Sequence, residues 1–345
     1  MTTKSNFILA CLFSLFCISS ISAFDTSQKF KHFYIEIVGL HEVDYKFVFG
    51  EIKYDAEAGP EKKPFVTSEN MDIEDIFFDE FKGAYLSLDE DQSDVMFYIH
   101  GQWGNTKDFF EMSTKAMYKD IFEHDQNETG ICISYIWDCK VNYKNNVKIA
   151  LDKGKHFGDF TDQSLKLMGD LKDQKKPSEV NFLCHSMGNK VFQGVHSVLE
   201  TKGFNSPPIN ILIQAGSDLI GNVYEAGQPM DNITEIVKEI LIYRHNDDRT
   251  LKMAKLIYDH TRMGLDGLDL LEGAPDNITI VDVSIVDDNN DFASKFSKHR
   301  YYFTSPTVRQ DMLYVLSGEE ASSIANRKPM KRSRTYKLLY NPKVN

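Results

Sequence analysis

The sequence predicts an α/β protein in which a mostly parallel central sheet is flanked by helices, with an N-terminal β-rich extension. Two runs, Val95–Ile99, which is apolar throughout, and Val180–Cys184, which is apolar apart from Asn181, are typical of strands that are buried in a sheet. Strand-like and helical segments then alternate as far as residue 285. Because strands joined by crossover helices run parallel to one another, this alternation favours a parallel sheet.

Residues 1–23 have the pattern of a cleaved secretory signal peptide, with Lys4 before an apolar run over 7–17 and small residues up to Ala23. The apolar run is shorter than the roughly 20 residues that span a bilayer, which favours cleavage over an anchor. We therefore expect a secreted protein, located in the periplasm or outside the cell. The mature chain keeps three cysteines, an odd number that does not indicate a disulfide framework: Cys132, Cys139 and Cys184.

The remaining chain divides into an extension (24–92), a main domain (93–320) and a basic C-terminal tail (321–345). In the extension, alternating apolar residues predict a hairpin over 30–54, followed by a loop over 55–70 and a helix over 73–88. The formal net charge of −12 argues against nucleic acid as a partner. The basic tail could make weak contact with an anionic membrane surface, but a solvated terminus is the interpretation we favour.

In the main domain, the pattern predicts a helix over 106–122, a strand over 131–136, a long polar loop over 139–158 and a helix over 162–171. Three further strands are expected after residue 200, at 209–214, 239–244 and 278–285. The segments 219–238 and 251–272 carry apolar residues at helical spacing. They fit either a lid over an acyl site or ordinary crossover helices.

The second apolar run leads into His185-Ser186-Met187-Gly188, where a strand, a sharp turn and a helix are expected in succession. This is the layout of a nucleophile elbow, in which the strained serine exposes its hydroxyl and the N–H of the next residue points at a developing oxyanion. Met187 is therefore one candidate oxyanion donor. The first apolar run ends in His100-Gly101-Gln102, and the N–H of Gln102 is the second candidate; we expect His100 to be structural.

A serine nucleophile needs a histidine base that is oriented by a carboxylate, and in this arrangement the chain order is serine, acid, histidine. Of the histidines after Ser186, only His299 follows the last predicted strand, so its position selects it as the base. Asp248 ends the strand before the last one and is our choice of acid. Asp247 is the first alternative and Asp218, after an earlier strand, is the second.

The motifs His100-Gly101, His185 to Asn189, Asp248 to Leu251 and His299 to Pro306 resemble those of a mostly bacterial α/β-hydrolase family of unknown function that is similar to lipases and esterases. The resemblance covers about residues 93–318, in the family's order. It implies the α/β-hydrolase fold and a Ser–Asp–His site but no particular substrate. The chain departs from the pattern at Asp138, where relatives usually have proline, and at Gly216-Ser217, which replaces a Pro-Asp pair.

Together these observations lead to the hypothesis of a secreted serine hydrolase that cleaves a carboxylic ester, of a lipid or a small acyl group, through an acyl-serine intermediate. One alternative is a catalytically silent protein of the same fold that binds a ligand. Another is an acyltransferase that uses the same acyl-enzyme. We expect no cofactor and no metal, because no set of His, Cys and carboxylate residues has the spacing of metal ligands. The sequence makes no prediction of oligomeric state.

Overall fold

The structure is a computed structural model that describes residues 30–39, 45–55, 59–66, 72–89, 93–102, 110, 113–114, 129–139, 142–171, 173–174, 178–270, 274–289 and 291–342. In these ranges, eleven strands form one sheet with the order β10-β11-β9-β8-β7-β6-β4-β5-β1-β2-β3. The strands are Lys31–Val38 (β1), Lys46–Asp55 (β2), Gly59–Pro64 (β3), Asp94–Ile99 (β4), Thr129–Trp137 (β5), Val180–His185 (β6), Ile209–Ala215 (β7), Val237–Arg244 (β8), Ile278–Asp282 (β9), Arg327–Pro329 (β10) and Thr335–Leu338 (β11).

Eight helices in the same ranges cover the sheet. They are Ile73–Ser87 (α1), Tyr143–Asp170 (α2), Gly188–Leu199 (α3), Arg249–Tyr258 (α4), Met263–Asp266 (α5), Phe292–Ser297 (α6), Tyr301–Thr304 (α7) and Pro306–Leu316 (α8). Neighbouring strands from β11 to β1 in this order all pair in parallel. The pairs β1–β2 and β2–β3 at one end of the sheet, and β10–β11 at the other, are antiparallel. The predicted mostly parallel sheet is confirmed.

The two apolar runs seen in the sequence are the central strands β4 and β6, and every residue of both is buried. On β4, Phe97 packs with the core formed by α1, α2 and α3, while its neighbour Met96 packs with the opposite core, which includes α8. Because successive side chains of a strand point to opposite faces, a strand covered on both faces has no polar alternation. The molecule therefore has three layers, helix, sheet and helix.

The N-terminal hairpin over 30–54 is present as β1 and β2, and α1 begins and ends within one residue of the predicted helix. The prediction of a loop over 55–70 is wrong in part, because Gly59–Pro64 forms the edge strand β3. Its prolines and lysines are what edge strands use to discourage further pairing, and they resemble a loop in sequence. Through the parallel pair β1–β5, the extension joins the sheet of the main domain.

The C-terminal tail is not the solvated terminus that we favoured. Arg327 is buried and forms an ion pair with Asp311, at 2.7 Å between Nη2 and Oδ2, and β11 pairs in parallel with β9. Arg332 donates to the carbonyl oxygen of Leu268 at 3.2 Å. Part of the positive charge is thus used inside the fold, since a buried guanidinium must be paired, and the charge pattern alone did not reveal this.

The prediction of a loop over 139–158 is also wrong, because α2 begins at Tyr143 and continues to Asp170. Its contact with α3 depends on glycine: a Cβ atom added at Gly154 would lie 2.0 Å from the carbonyl oxygen of Val191, and one added at Gly194 would lie 2.3 Å from that of Leu151. Helices that approach this closely present backbone to each other. The apolar periodicity that identifies a helix in sequence is correspondingly weak here.

The segment over 219–232 forms consecutive turns rather than a helix, followed by a short 3-10 helix at Ile233–Glu235. The predicted signal peptide and most of the helix expected over 106–122 lie outside the described residues. None of the helices within the described ranges combines the length and the apolar character that crossing a membrane requires.

Candidate active site

Ser186 occupies the turn between β6 and α3, with a φ of 52°. This left-handed conformation is rare for residues other than glycine and costs about 1–3 kcal/mol, so the surrounding structure must impose it. The N–H of Ser186 donates to the carbonyl oxygen of Ala215 at 2.9 Å, and its carbonyl oxygen accepts from the N–H of Asn189 at 3.1 Å. The strand, turn and helix expected for a nucleophile elbow are all present.

Two glycines permit this tight turn, Gly188 two residues after the serine and Gly101 in the segment after β4. A Cβ atom added at Gly188 would lie 2.5 Å from the carbonyl oxygen of Ile99, and one added at Gly101 would lie 2.8 Å from Cβ of Ser186. The end of β4 therefore lies directly against the elbow. Cys184 is buried in the elbow strand, and burial raises the pKa of its thiol well above the ordinary value, as expected of a small packing residue.

His299 and Asp248 are in direct contact, with 2.6 Å between Nδ1 of the histidine and Oδ2 of the aspartate. A carboxylate only accepts hydrogen bonds, so Nδ1 donates this one, and in a neutral imidazole the lone pair is then on Nε2. The other carboxylate oxygen of Asp248 accepts from the N–H of Leu251 at 2.9 Å and thereby caps α4. Both of its oxygens are held, and the carboxylate is fully buried.

The two alternative acids have other partners. Asp247 is half-exposed and binds Lys252, whose hydrogen bond lowers the pKa of the carboxyl group. Asp218 is buried, accepts from the hydroxyl of Tyr143 at 2.6 Å and lies 3.2 Å from Nε of Arg262. Of the three candidate acids, Asp248 is therefore the one bonded to His299 in the described structure.

His100 is held by backbone on both ring nitrogens, as expected of a structural residue. Its Nδ1 donates to the carbonyl oxygen of Gly101 at 2.6 Å, and its Nε2 accepts from the N–H of Trp137 at 3.1 Å. Burial lowers the pKa of His100 to about 4, so the ring is neutral at neutral pH. Neither nitrogen is left to act as a base.

A second histidine, His185, contacts the backbone of His299. Its Nε2 donates to the carbonyl oxygen of His299 at 3.1 Å, and its ring stacks on Tyr302 with 4.3 Å between centroids. Burial lowers the pKa of His185 well below the ordinary value, and the nearby His299 adds to the effect. The adjacent Tyr301 donates to the carbonyl oxygen of Tyr243 and accepts from the N–H of Gly216, each at 2.8 Å. These contacts fix the loop over 298–300, between α6 and α7, that carries His299.

Ser186 and His299 line one cavity of about 400 Å³, together with both candidate oxyanion donors, Met187 and Gln102. Asp218, the second alternative acid, also lines the cavity, and the segment 251–272, expected to be a lid or crossover helices, supplies part of the wall. Other wall residues come from α2, from α4, from the end of α6 and from the loop that follows α6, and they include Tyr143, Thr250, Leu251, Met253, Ala254, Ile257, Ser297 and Arg300. Tyr143 lies in the segment predicted as a loop, and the apolar pattern of 251–257 was the available signal for the α4 wall.

No group of three or more His, Cys, Asp or Glu side chains suited to a metal ion occurs within the described ranges. The candidate site instead consists of a serine in a strained turn, a histidine bonded to a buried aspartate, and a helix N-terminus at Met187.

The parallel sheet, the elbow after a central strand and the order of the site residues define an alpha/beta hydrolase. The chain belongs to the family described as "Alpha/beta hydrolase of unknown function (DUF900)", whose model matches residues 84–315. This match confirms the family and the fold expected from the sequence motifs.

Among solved structures, the chain is similar to the phospholipase PlaB from Legionella pneumophila, which was determined in complex with thio-NAD. The identity is 10%, the TM-score is 0.25, and the match covers 56% of this chain and 38% of that one. At this TM-score the similarity carries no argument about substrate or site. No curated protein matches this chain.

Proposed function

We propose that this alpha/beta hydrolase cleaves a carboxylic ester through an acyl-serine intermediate, with Ser186, His299 and Asp248 as its catalytic residues. The observation that carries the proposal is the 2.6 Å contact between His299 and the buried Asp248, in the same cavity as a serine at φ 52°. Strain at a serine and a fully held carboxylate behind a histidine are features that folding stability alone does not require.

The reaction begins when Oγ of Ser186 bonds to the ester carbonyl carbon and gives its proton to Nε2 of His299. The N–H groups of Met187 and Gln102 stabilise the resulting oxyanion. Asp248 stabilises the imidazolium that forms at His299. The carbon–oxygen bond of the ester then breaks, and His299 protonates the departing alkoxide to an alcohol. Water attacks the acyl-serine in the same manner, with His299 again taking and returning a proton, and the carboxylic acid leaves.

The lining of the cavity favours an ester with an apolar acyl group. The wall formed by α4 contributes the apolar side chains Met253, Ala254 and Ile257, while polar groups cluster around the serine. Pockets of this kind bind ligands mainly through burial of apolar surface, and a few polar groups orient the reacting bond.

The proposal is tested with a fluorophosphonate probe, which phosphonylates an activated serine. We expect the native protein to be labelled and the Ser186→Ala and His299→Ala variants not to be, with matching loss of hydrolysis of esters of increasing acyl length. Absence of labelling of a folded native protein would refute the proposal and favour a silent binding protein. Acyl transfer to an added alcohol, in preference to water, would reveal an acyltransferase.

We further propose that the protein is secreted after removal of residues 1–23. The support is the charge and apolar pattern of that segment. The intact mass and N-terminal sequence of the protein recovered from its native host are expected to begin at residue 24. Recovery of the uncleaved chain from the cytoplasm would contradict this proposal and leave the catalytic proposal unaffected.

A further inference from the structure

Two helices beside the cavity expose large apolar side chains to solvent. Met253, Leu256 and Ile257 lie at i, i+3 and i+4 on α4, and Phe292 and Phe296 lie at i and i+4 on α6. Leu256 is 78% exposed and Phe292 is 84% exposed. We call these five residues the apolar collar. Large side chains so fully exposed on neighbouring helices indicate an interaction site rather than ordinary surface.

The apolar collar is continuous with the cavity. The same helix α4 buries Leu251 and Ala254 against the protein, and two collar residues, Met253 and Ile257, also line the cavity. On the other side, Ser297 at the end of α6 lines it as well. Two apolar side chains, Met253 and Ile257, therefore lead from the collar into the cavity.

The collar is a preformed surface. The guanidinium of Arg249, at the start of α4, lies 4.3 Å from the ring centroid of Phe296 on α6. A cation over an aromatic face at this distance is attractive. This contact joins the two helices, so that their apolar side chains form one surface.

The two helices that carry the collar are basic, whereas the whole protein is acidic. The net charge of the chain is −12, yet α4 and α6 carry Arg249, Lys252, Lys255 and Lys295 and no acidic residue. Lys252 and Lys255 also form ion pairs with Asp247 and Asp266, outside the two helices, and these aspartates offset part of the positive charge. Amphipathic helices with apolar and basic residues are suited to an anionic lipid interface.

We propose that the apolar collar docks on an anionic phospholipid surface and presents the cavity to lipid esters held there. This deepens the proposed function by naming its substrate class, and it rests on that function. The basic side chains attract the surface, and Leu256 and Phe292 enter the boundary between headgroups and acyl chains. Each buried apolar side chain contributes through area removed from water, and each cation near the surface contributes a further increment.

The test measures binding to vesicles by sedimentation, using the Ser186→Ala variant so that no substrate is consumed. We expect vesicles with one third phosphatidylglycerol to bind at least about tenfold more tightly than pure phosphatidylcholine, and the preference to fall at high salt. In the same background, a double Leu256→Ser and Phe292→Ser variant should bind about tenfold more weakly or worse. Val66→Ser, at an equally exposed position (84%) near β3, is the matched control and should bind normally.

Equal binding to both kinds of vesicle, no binding, or an unaffected double variant would overturn the proposal. Dimerisation that depends on Leu256 and Phe292, without binding to vesicles, would identify a second copy of the chain as the occupant and would also overturn it. The two proposals fail separately. A protein that binds anionic vesicles but takes no fluorophosphonate loses its proposed activity and keeps the docking surface, whereas one that hydrolyses dissolved esters without binding vesicles loses the docking surface alone.

Discussion

Replacing Asp248 with asparagine is expected to lower kcat for ester hydrolysis about 10⁴-fold. The amide has the size of the carboxylate, so it can still accept from the N–H of Leu251 and cap α4. It has no negative charge to stabilise the imidazolium of His299, and its NH₂ group can hold the ring in the tautomer that lacks a lone pair on Nε2. The measurement is kcat on a soluble ester, together with the urea midpoint, which should be almost unchanged.

The matched control for this change is Asp247→Asn, one residue away. Asp247 is half-exposed and binds Lys252, and its hydrogen bond to that lysine is the first cause of its lowered pKa. Its loss removes an exposed ion pair, so we expect kcat within about twofold of the native value. If Asp247→Asn abolished activity and Asp248→Asn retained it, the assignment of the acid would be reversed.

Replacing Gly154 with alanine is expected to destabilise the protein by about 3 kcal/mol or more. The added methyl group would lie 2.0 Å from the carbonyl oxygen of Val191 and 2.9 Å from Cα of Gly194. Both obstacles are backbone, so the clash cannot be relieved by turning a side chain, and α2 and α3 must separate. Because α3 begins directly after the elbow, the geometry of Ser186 should be lost as well. The denaturant midpoint and ester hydrolysis report the two effects.

Gly169→Ala, on the same helix, provides the control. A Cβ atom there would meet nothing within 4 Å, and the φ angle is not positive. Since alanine loses less backbone entropy in a helix, we expect this variant to be unchanged or more stable, by about 0.5–1 kcal/mol. Similar losses of stability in both variants would show that α2 simply disfavours alanine, and would contradict the proposed role of the close helix contact.

The features that the sequence predicted well are local. A fully apolar run predicted β4, and a run that is apolar apart from Asn181 predicted β6, since burial on both faces of a sheet affects consecutive residues. The elbow was found because its strand, turn and helix adjoin one another in the chain. The cap of α8 is local in the same sense, because Ser305 accepts from the N–H of Val308, three residues further on, at 3.2 Å.

The errors have a common cause in contacts between distant segments. The helix α2 was mistaken for a loop over half its length because Gly154 and Gly158 replace the apolar residues that mark a buried face. The tail was expected to be solvated because its charges are conspicuous in sequence, whereas the partner of Arg327, Asp311, lies on α8. A pairing of this kind depends on where α8 packs, which no local pattern records.

By itself, the sequence determined the fold class, the elbow and the order of serine, acid and histidine, because these depend on residue types and their succession along the chain. The tertiary structure decided which carboxylate contacts His299, since Asp247 and Asp248 are neighbours in sequence but differ in burial and in partner. It also brought α4 and α6 to one cavity mouth. The direction of a side chain at a strand end is fixed by the packing around it, and that packing exists only in the folded chain.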